Sequence, residues 1–242
     1  MKPMIIAHRG ASGYAPENTM AAFSKGIELG ADAIELDVNQ TADGEIVVIH
    51  DATLRRTTNG RGRAREHTLA ELRLLDAGGW FGKEYSGERI STLQEVLQWA
   101  SARTRVWIEI KDAAAQKVLA IVKKEQALDR VVIFSMHVEA MENLIDAPVE
   151  RSLVFPRWSR KVRNIKSLCA LASELKLRSI APHFSVAKRR FVEQMHDVDL
   201  DVAVWTANRK GTIRRLVCNG VDAIITNYPD RAKEIAEALA KP

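Results

Sequence analysis

The chain has 242 residues, of which 46% are hydrophobic and 28% charged, the usage of an ordinary globular protein. A chain of this length buries about 70% of its unfolded surface, so it folds without a disulfide framework. These values exclude a disulfide-rich miniprotein, a collagen-like chain and a disordered acidic tail. The 36 basic residues outnumber the 31 acidic ones, and the net charge of +5 suits an anionic ligand without identifying it.

The cysteines and the N-terminal segment indicate where the protein works. Cys169 and Cys218 are far apart and follow no metal-binding spacing, so we expect free thiols in a reducing compartment. The first apolar stretch covers only residues 4–7, which is short for the hydrophobic region of a secretory signal. No run approaches the roughly 20 apolar residues of a membrane span. The sequence therefore predicts a cytoplasmic protein without stable membrane insertion, and it leaves the oligomeric state open.

Short apolar runs alternate with amphipathic helical segments along the chain. A strand at residues 4–7 precedes a helix that begins near Asn18 or Thr19 and stops at Gly30. A strand at 33–38 follows, and an Asp-Gly hairpin turn then leads into an apolar strand at 46–49. The later predicted strands, with helices between them, are 106–111, 131–135, 152–155, 179–181, 202–205 and 223–226.

The repetition of this unit predicts the fold class. Strand–helix units of about 30 residues favour parallel strands joined by right-handed crossovers. The count of about eight such strands is the number that closes a TIM (β/α)8 barrel. An open doubly wound sheet is the alternative, but it needs a Gly-rich phosphate loop after the first strand, which residues 10–13 imitate only weakly. We therefore predict an α/β fold, with residues 1–242 as a single TIM-barrel domain.

Residues 52–92 interrupt the repeating pattern. The segment is rich in arginine, contains one predicted helix at 69–75, and carries the aromatic pair Trp80 and Phe81. We predict a small inserted subdomain after the strand that ends at His50. It would pack over one end of the barrel, with the aromatic pair as its core.

Polar residues gather where the predicted strands end. The carboxyl ends of barrel strands meet at one rim, which is where TIM-barrel active sites lie. The side chains expected to converge there are His8, Arg9, Glu35, Asp37, His50, Glu109 and Lys111. Each alone has an ordinary structural explanation, such as a solvated strand edge. Their coincidence at four strand ends favours a functional site.

The residue types indicate chemistry on a charged ester. Glu35, Asp37 and Glu109 offer hard oxygen ligands for Mg²⁺ or Ca²⁺. Arg9 offers a planar fork for phosphate oxygens, and Lys111 adds a point charge. A bound cation would withdraw charge from the phosphoryl group and orient the attacking group. The set therefore predicts a metal-dependent enzyme that cleaves a phosphate ester.

Two histidines can divide the proton transfers of such a reaction. One would remove a proton from the nucleophile, and the other would protonate the leaving alkoxide. We assign His8 as the base and His50 as the acid, with Asp51 or Glu17 supporting them. The residues alone do not decide this order.

The motifs also resemble, as an ordered set, those of a known family. They are His8-Arg9-Gly10, Pro16-Glu17-Asn18-Thr19, Glu35-x-Asp37-Val38, Thr41-x-Asp43-Gly44, His50-Asp51, Arg56-Thr57-Thr58, Glu109-Ile110-Lys111, Trp205-Thr206 and Asp222-x-Ile224-x-Thr226-Asn227-x-Pro229. This set is similar to the signature of the glycerophosphodiester phosphodiesterases, and the size of the chain resembles their bacterial cytoplasmic type. The likeness spans nearly the whole sequence.

The resemblance implies a TIM barrel with a small inserted subdomain. It also implies hydrolysis of glycerophosphodiesters to sn-glycerol 3-phosphate and an alcohol, with a divalent cation, Mg²⁺ or Ca²⁺. The roles that it implies are metal ligation by Glu35, Asp37 and Glu109, acid–base catalysis by His8 and His50, and substrate binding by Arg9, Lys111 and Trp205. The native metal, the leaving alcohol and the formation of a cyclic phosphate stay open.

Three other functions compete with this prediction. A phosphodiesterase for lysophospholipids or sphingolipids would need a long apolar patch at the barrel mouth, whereas the loops there are short and basic. A non-catalytic phosphoester-binding protein should have lost a histidine or a carboxylate. A nuclease rests only on the basic segment 157–163. We therefore predict a small-molecule glycerophosphodiester as the partner and no nucleic acid.

Overall fold

The computed structural model describes residues 2–160 and 164–240, and within them it contains nine strands and nine α-helices. The strands are β1 (Met4–Ala7), β2 (Ala33–Gln40), β3 (Ile46–Val48), β4 (Arg105–Asp112), β5 (Val131–Ser135), β6 (Glu150–Phe155), β7 (Ser179–Pro182), β8 (Asp201–Val204) and β9 (Ala223–Thr226). The helices are α1 (Met20–Glu28), α2 (Leu69–Leu72), α3 (Leu93–Ala100), α4 (Ala115–Lys124), α5 (Val138–Glu142), α6 (Ile165–Glu174), α7 (Arg189–His196), α8 (Lys210–Cys218) and α9 (Pro229–Ala240).

Eight of the strands form a closed parallel barrel. Their order is β1-β9-β8-β7-β6-β5-β4-β2, and pairing of β1 with β2 closes the ring. Helices follow the strands and cover the outside, as parallel strands with crossover connections require. The predicted TIM (β/α)8 barrel is therefore confirmed.

The strand predicted at residues 46–49 lies outside this ring. It is β3, and it runs antiparallel to β2, with Val38 opposite Val48. Only five residues connect Gln40 with Ile46, whereas a parallel partner needs a crossover of about a dozen residues or more. The predicted Asp-Gly hairpin is therefore confirmed. The expectation that the strand ending at His50 belongs to the barrel was wrong, because β3 reaches the rim as the returning arm of that hairpin.

Strand alternation divides the apolar core into two layers. One layer fills the barrel interior and includes Ile6, Ala33, Trp107 and Phe134. The other lies between the strands and the surrounding helices. Because successive side chains point to opposite faces, Glu35 and Asp37 share the inner face with Ala33, and Glu109 and Lys111 share it with Trp107. The interior layer thus places apolar side chains directly beneath these polar groups.

The segment between β3 and α3 has an apolar core of its own. Its buried members are Val47, Ile49, Leu54, Ala64, Leu72, Ala77 and Ile90. The predicted core pair is wrong, since Trp80 is 43% exposed and packs edge-on against Phe81 at the surface. The hydroxyl of Tyr85 donates to the carbonyl of Tyr14 at 2.9 Å and joins the segment to the β1–α1 loop. The limits 52–92 stay a prediction, and aliphatic side chains from both strand and loop build the core.

None of the helices in the described ranges has the length and apolar character needed to cross a bilayer.

The outer layer can be tested with a matched pair of leucines. Leu97 in α3 is fully buried, whereas Leu74 is 78% exposed. We expect Leu97→Ala to lower the free energy of unfolding by about 2–5 kcal/mol, since it leaves a cavity. Leu74→Ala should change it by less than about 0.5 kcal/mol. Urea unfolding measures both, and equal losses would contradict the burial described here.

Candidate active site

Three carboxylates converge at the rim where β2 and β4 run side by side. Asp37 is the register partner of Glu109 on the neighbouring strand, and Glu35 lies two residues before Asp37 on the same face. One oxygen from each of the three lies within 4.8 Å of the others. All three side chains are buried. We call Glu35, Asp37 and Glu109 the carboxylate cluster.

Burial and mutual repulsion make it unfavourable for all three carboxylates of the cluster to be ionised. Burial, together with the charges of Asp37 and Glu109, raises the pKa of Glu35 well above its ordinary value. Burial also raises the pKa of Glu109 to about 7. At Asp37 the positive charges of Arg9 and Lys111 outweigh burial and lower the pKa to about 2. Ionising all three carboxylates in this buried place is therefore unfavourable unless positively charged groups lie nearby.

The cluster fits a divalent cation. Oε1 of Glu35 is buried and accepts no hydrogen bond from residues 2–160 or 164–240. The ammonium of Lys111 lies 2.6 Å from Oε1 of Glu109 and 3.3 Å from Oδ1 of Asp37, so a cationic group already faces these oxygens. Carboxylate oxygens are the ligands that Mg²⁺ and Ca²⁺ prefer. The three predicted carboxylates thus lie at one site, and their oxygen atoms are donors that suit a hard cation.

The loop after β1 places Arg9 beside the cluster. Its backbone N–H donates to Oε2 of Glu35 at 2.7 Å, with Arg9 at a φ of 56°. Its guanidinium donates to Glu17 at 2.8 Å, and its Nε lies 3.2 Å from Oδ2 of Asp37. Asn18 donates to the same Asp37 oxygen at 2.9 Å and accepts from the backbone N–H of Asp37. One loop therefore orients two of the three carboxylates.

The ring of His8 is held by a neutral partner. Its Nδ1 lies 2.7 Å from Oδ1 of Asn227, the residue after β9. Because an amide oxygen only accepts, Nδ1 carries the proton and Nε2 keeps its lone pair. Burial, and then the charge of Arg9, lower the pKa of His8 to about 4. His8 is therefore neutral at pH 7 and can accept a proton at Nε2.

The ring of His50 is held by a charged partner. Its Nδ1 lies 2.6 Å from Oδ1 of Asp51. Burial lowers the pKa of His50, while the charge of Asp37 and the hydrogen bond to Asp51 act in the opposite direction. Hydrogen bonds from Arg56 lower the pKa of Asp51 itself to about 2. Asp51 therefore stays ionised, and its hydrogen bond offsets only part of the effect of burial, so the pKa of His50 is lowered overall.

Trp205 packs against the interior layer of the barrel core, at the end of the barrel that carries the carboxylate cluster. It follows β8, its indole N–H donates to the carbonyl of Ala181 at 2.8 Å, and its ring packs edge-on against His183. Its side chain is half-buried at the same end of the barrel. A substrate contact by Trp205 stays a prediction, and it would use the ring rather than the N–H.

Three polar residues of the site were quoted in motifs without a role. Asn18 and Asn227 hold Asp37 and His8, and Arg56 holds Asp51. The position of Asn227 directly after a barrel strand was a usable signal. Arg56 was singled out from the other arginines of the inserted segment only by the motif Arg56-Thr57-Thr58, which gives no indication of its partners.

Comparison with known proteins agrees with this geometry. The model of the glycerophosphoryl diester phosphodiesterase family matches residues 8–231. The chain belongs to this family. The membership predicted from the motifs, and with it an enzyme of the glycerophosphodiester phosphodiesterase class, is confirmed.

Individual family members are similar over nearly the whole chain. A glycerophosphodiester phosphodiesterase of Caldanaerobacter subterraneus subsp. tengcongensis is 37% identical over 245 residues, covering 95% of this chain and 96% of that one. The crystal structure of a glycerophosphodiester phosphodiesterase from Agrobacterium tumefaciens matches with a TM-score of 0.86 at 32% identity, covering 96% and 99% of the two chains. A phosphodiesterase of Oleispira antarctica, solved with its product sn-glycerol-3-phosphate, matches with a TM-score of 0.89 at 28% identity, covering 97% of each.

The cost of clustered charge in this phosphodiesterase can be measured without substrate. We expect Glu35→Gln to raise the free energy of unfolding in EDTA at neutral pH by about 1 kcal/mol, since it removes a buried carboxyl whose raised pKa opposes folding. The matched control is Glu174→Gln, the same change on the exposed face of α6. Thermal melts in EDTA compare the two. A Glu35→Gln variant less stable than wild type would contradict the repulsion described above.

Proposed function

We propose that this protein hydrolyses glycerophosphodiesters to sn-glycerol 3-phosphate and an alcohol, with a divalent cation held by the carboxylate cluster. The observation that carries the proposal is the cluster itself, three buried carboxylates with ligand oxygens within 4.8 Å of one another. When bound, the cation would supply Lewis-acid stabilisation of the charged phosphoryl group. Mg²⁺ and Ca²⁺ both suit oxygen ligands.

Arg9 and Lys111 would bind the phosphate. Both lie at the edge of the cluster and are mostly buried, with 17% and 19% of their side chains exposed. A diester carries one negative charge, and ionised donors in a poorly solvated site bind it more strongly than in water. We assign these two side chains to compensating the negative charge of the bound phosphate.

His8 would act as the general base. Its Nδ1–H is committed to Asn227, so the lone pair of Nε2 is the group available to accept a proton from the attacking hydroxyl. Its low pKa keeps it unprotonated at neutral pH. The attacking group would be water, or the 2-hydroxyl of the substrate's glycerol; in the second case the alcohol leaves, a cyclic phosphate forms, and water then opens it to sn-glycerol 3-phosphate.

His50 would act as the general acid. The carboxylate of Asp51 on Nδ1 stabilises the protonated ring, which the neutral amide beside His8 does not do as well. Nε2–H of His50 would then donate to the leaving alkoxide. The different partners of the two rings support the assignment of base and acid.

The remaining proposals concern the cellular compartment, the wall of the substrate pocket and the binding partner. Cys169 and Cys218 are free among the described residues, and we propose the cytoplasm as the compartment. Trp205 is proposed to line the pocket with its ring. The partner that we propose is a small glycerophosphodiester rather than nucleic acid.

The function is tested by release of sn-glycerol 3-phosphate in a coupled assay. We expect activity on several glycerophosphodiesters, loss of at least about tenfold in kcat with EDTA, and recovery with Mg²⁺ or Ca²⁺, since the metal stabilises transition-state charge. Lysophosphatidylcholine in the same assay tests the lipid alternative. Binding of the diesters without turnover at any metal concentration would instead indicate a non-catalytic phosphoester-binding protein.

The histidine roles are tested by single substitutions. We expect His8→Ala and His50→Ala each to lower kcat by about 10²–10⁴-fold, the range for loss of a general acid or base. His196→Ala is the control, because His196 lies in α7 and its Nε2 pairs with Asp222, which precedes β9, outside the carboxylate cluster. Unchanged turnover in His50→Ala would refute the proposed acid.

A further inference from the structure

Resting on the proposed function, we propose that Arg56 is a positioning residue for catalysis. Arg56 lies in the inserted segment rather than on a barrel strand, yet its guanidinium joins the partner of His50 to the partner of Arg9. The inserted segment thereby sets the orientation of the catalytic acid.

Both edges of the Arg56 guanidinium are engaged. Toward Asp51, Nε donates to Oδ2 at 2.7 Å and Nη2 to Oδ1 at 3.1 Å. Toward Glu17, Nη1 donates to Oε2 at 2.7 Å and Nη2 to Oε1 at 2.8 Å. Two paired contacts of this kind fix the plane of each carboxylate as well as its distance.

The two carboxylates pass this constraint to the proposed catalytic groups. Oδ1 of Asp51 accepts from Nδ1 of His50 at 2.6 Å, and Oε1 of Glu17 accepts from Nη1 of Arg9 at 2.8 Å. Both oxygens also accept from Arg56. A rotation of Asp51 would turn the His50 ring with it, and Arg56 opposes that rotation.

The backbone that carries Arg56 is fixed by the core of the inserted segment. The Thr58 hydroxyl donates to the carbonyl of Leu54 at 2.7 Å, and the Thr58 N–H donates to the same carbonyl at 3.1 Å. Leu54 is fully buried in that core. The turn from 54 to 58 therefore presents Arg56 from a rigid base, and the folding of the insertion determines where the guanidinium lies.

This arrangement needs arginine rather than a positive charge alone. A lysine ammonium is a point donor and does not make two parallel paired contacts. Asp51 is 28% exposed at its side chain, so without the fork it can rotate toward solvent. Arg56 thus acts on the chemistry through Asp51, and it need not touch the substrate.

The test compares two substrates that differ in their need for a general acid. One is a glycerophosphodiester with an alkyl alcohol, whose alkoxide must be protonated as it leaves. The other is the corresponding p-nitrophenyl diester, whose leaving group departs with little need of a proton. We expect Arg56→Ala to lower kcat on the alkyl diester by about 10–100-fold, as for loss of other outer partners of a site. On the p-nitrophenyl diester we expect a change of less than about threefold, because Arg9 keeps its own contacts with Glu17 and Asp37 when Arg56 is removed.

The matched control is Arg55→Ala. Arg55 is the exposed neighbour of Arg56, and it forms none of the ion pairs found within residues 2–160 and 164–240. It should leave kcat on both substrates unchanged. Arg56→Lys keeps the charge without the fork, so we expect it to stay impaired on the alkyl diester. Adding Arg56→Ala to Asp51→Asn should cost much less than Arg56→Ala alone, because Asp51 carries the effect.

The outcomes separate the inference from the function on which it rests. If His50→Ala keeps its activity on the alkyl diester, the proposed acid is wrong and the inference falls with it. If His50→Ala loses that activity but Arg56→Ala keeps it, the inference alone is overturned. Equal losses on both diesters, or full activity of Arg56→Lys, would also overturn it. Should Arg56→Ala fail to fold, Arg56→Lys and Asp51→Asn are measured on the same two substrates, and a selective loss on the alkyl diester supports the proposal.

Discussion

Three carboxylates buried at one end of an apolar barrel are the constraint on which the site depends. Glu35, Asp37 and Glu109 repel one another in a poorly solvated place, and the protein compensates with Arg9 and Lys111 at their edges. Such an arrangement weakens the folded state and is retained where it serves a function. Arg9 and Lys111 compensate part of the negative charge of the three carboxylates. A divalent cation would compensate more of it, and a bound phosphate would in turn pair with the positive groups.

The rest of the site fixes the positions of these charged groups and of the two histidines relative to one another. The barrel supplies Asp37 and Glu109 through direct pairing of β2 with β4. The β2–β3 hairpin then turns the chain back, so that the N–H of Ile49 donates to the carbonyl of Asp37 at 3.0 Å and His50 arrives beside the cluster. Loops around this rim add partners of different charge, an amide for His8 and a carboxylate for His50, and this difference separates the two rings chemically.

Much of the site could be predicted because parallel barrel strands place their carboxyl ends together. Glu35 and Asp37 alternate with apolar residues on one strand, and Glu109 does so on another, so sequence spacing alone indicates a shared inner face. The arrival of His50 was predicted, and so was the hairpin at Asp43-Gly44. The error was to count the second strand of that hairpin among the parallel barrel strands, since so short a turn permits only an antiparallel return. Trp80 was misassigned to a core because aromatic residues resemble core residues in sequence whether or not they are covered.

The sequence by itself determined the repeating strand–helix pattern, the barrel class and the polar residues at its rim, because these follow from local alternation and from spacing along single strands. Only the tertiary structure decided which partners hold each ring, how the cluster is balanced, and that Arg56 reaches Glu17 across 39 positions of the chain. Contacts of that kind depend on where separate loops meet in space. No periodicity along the chain encodes such a meeting, so it emerges only when the barrel closes.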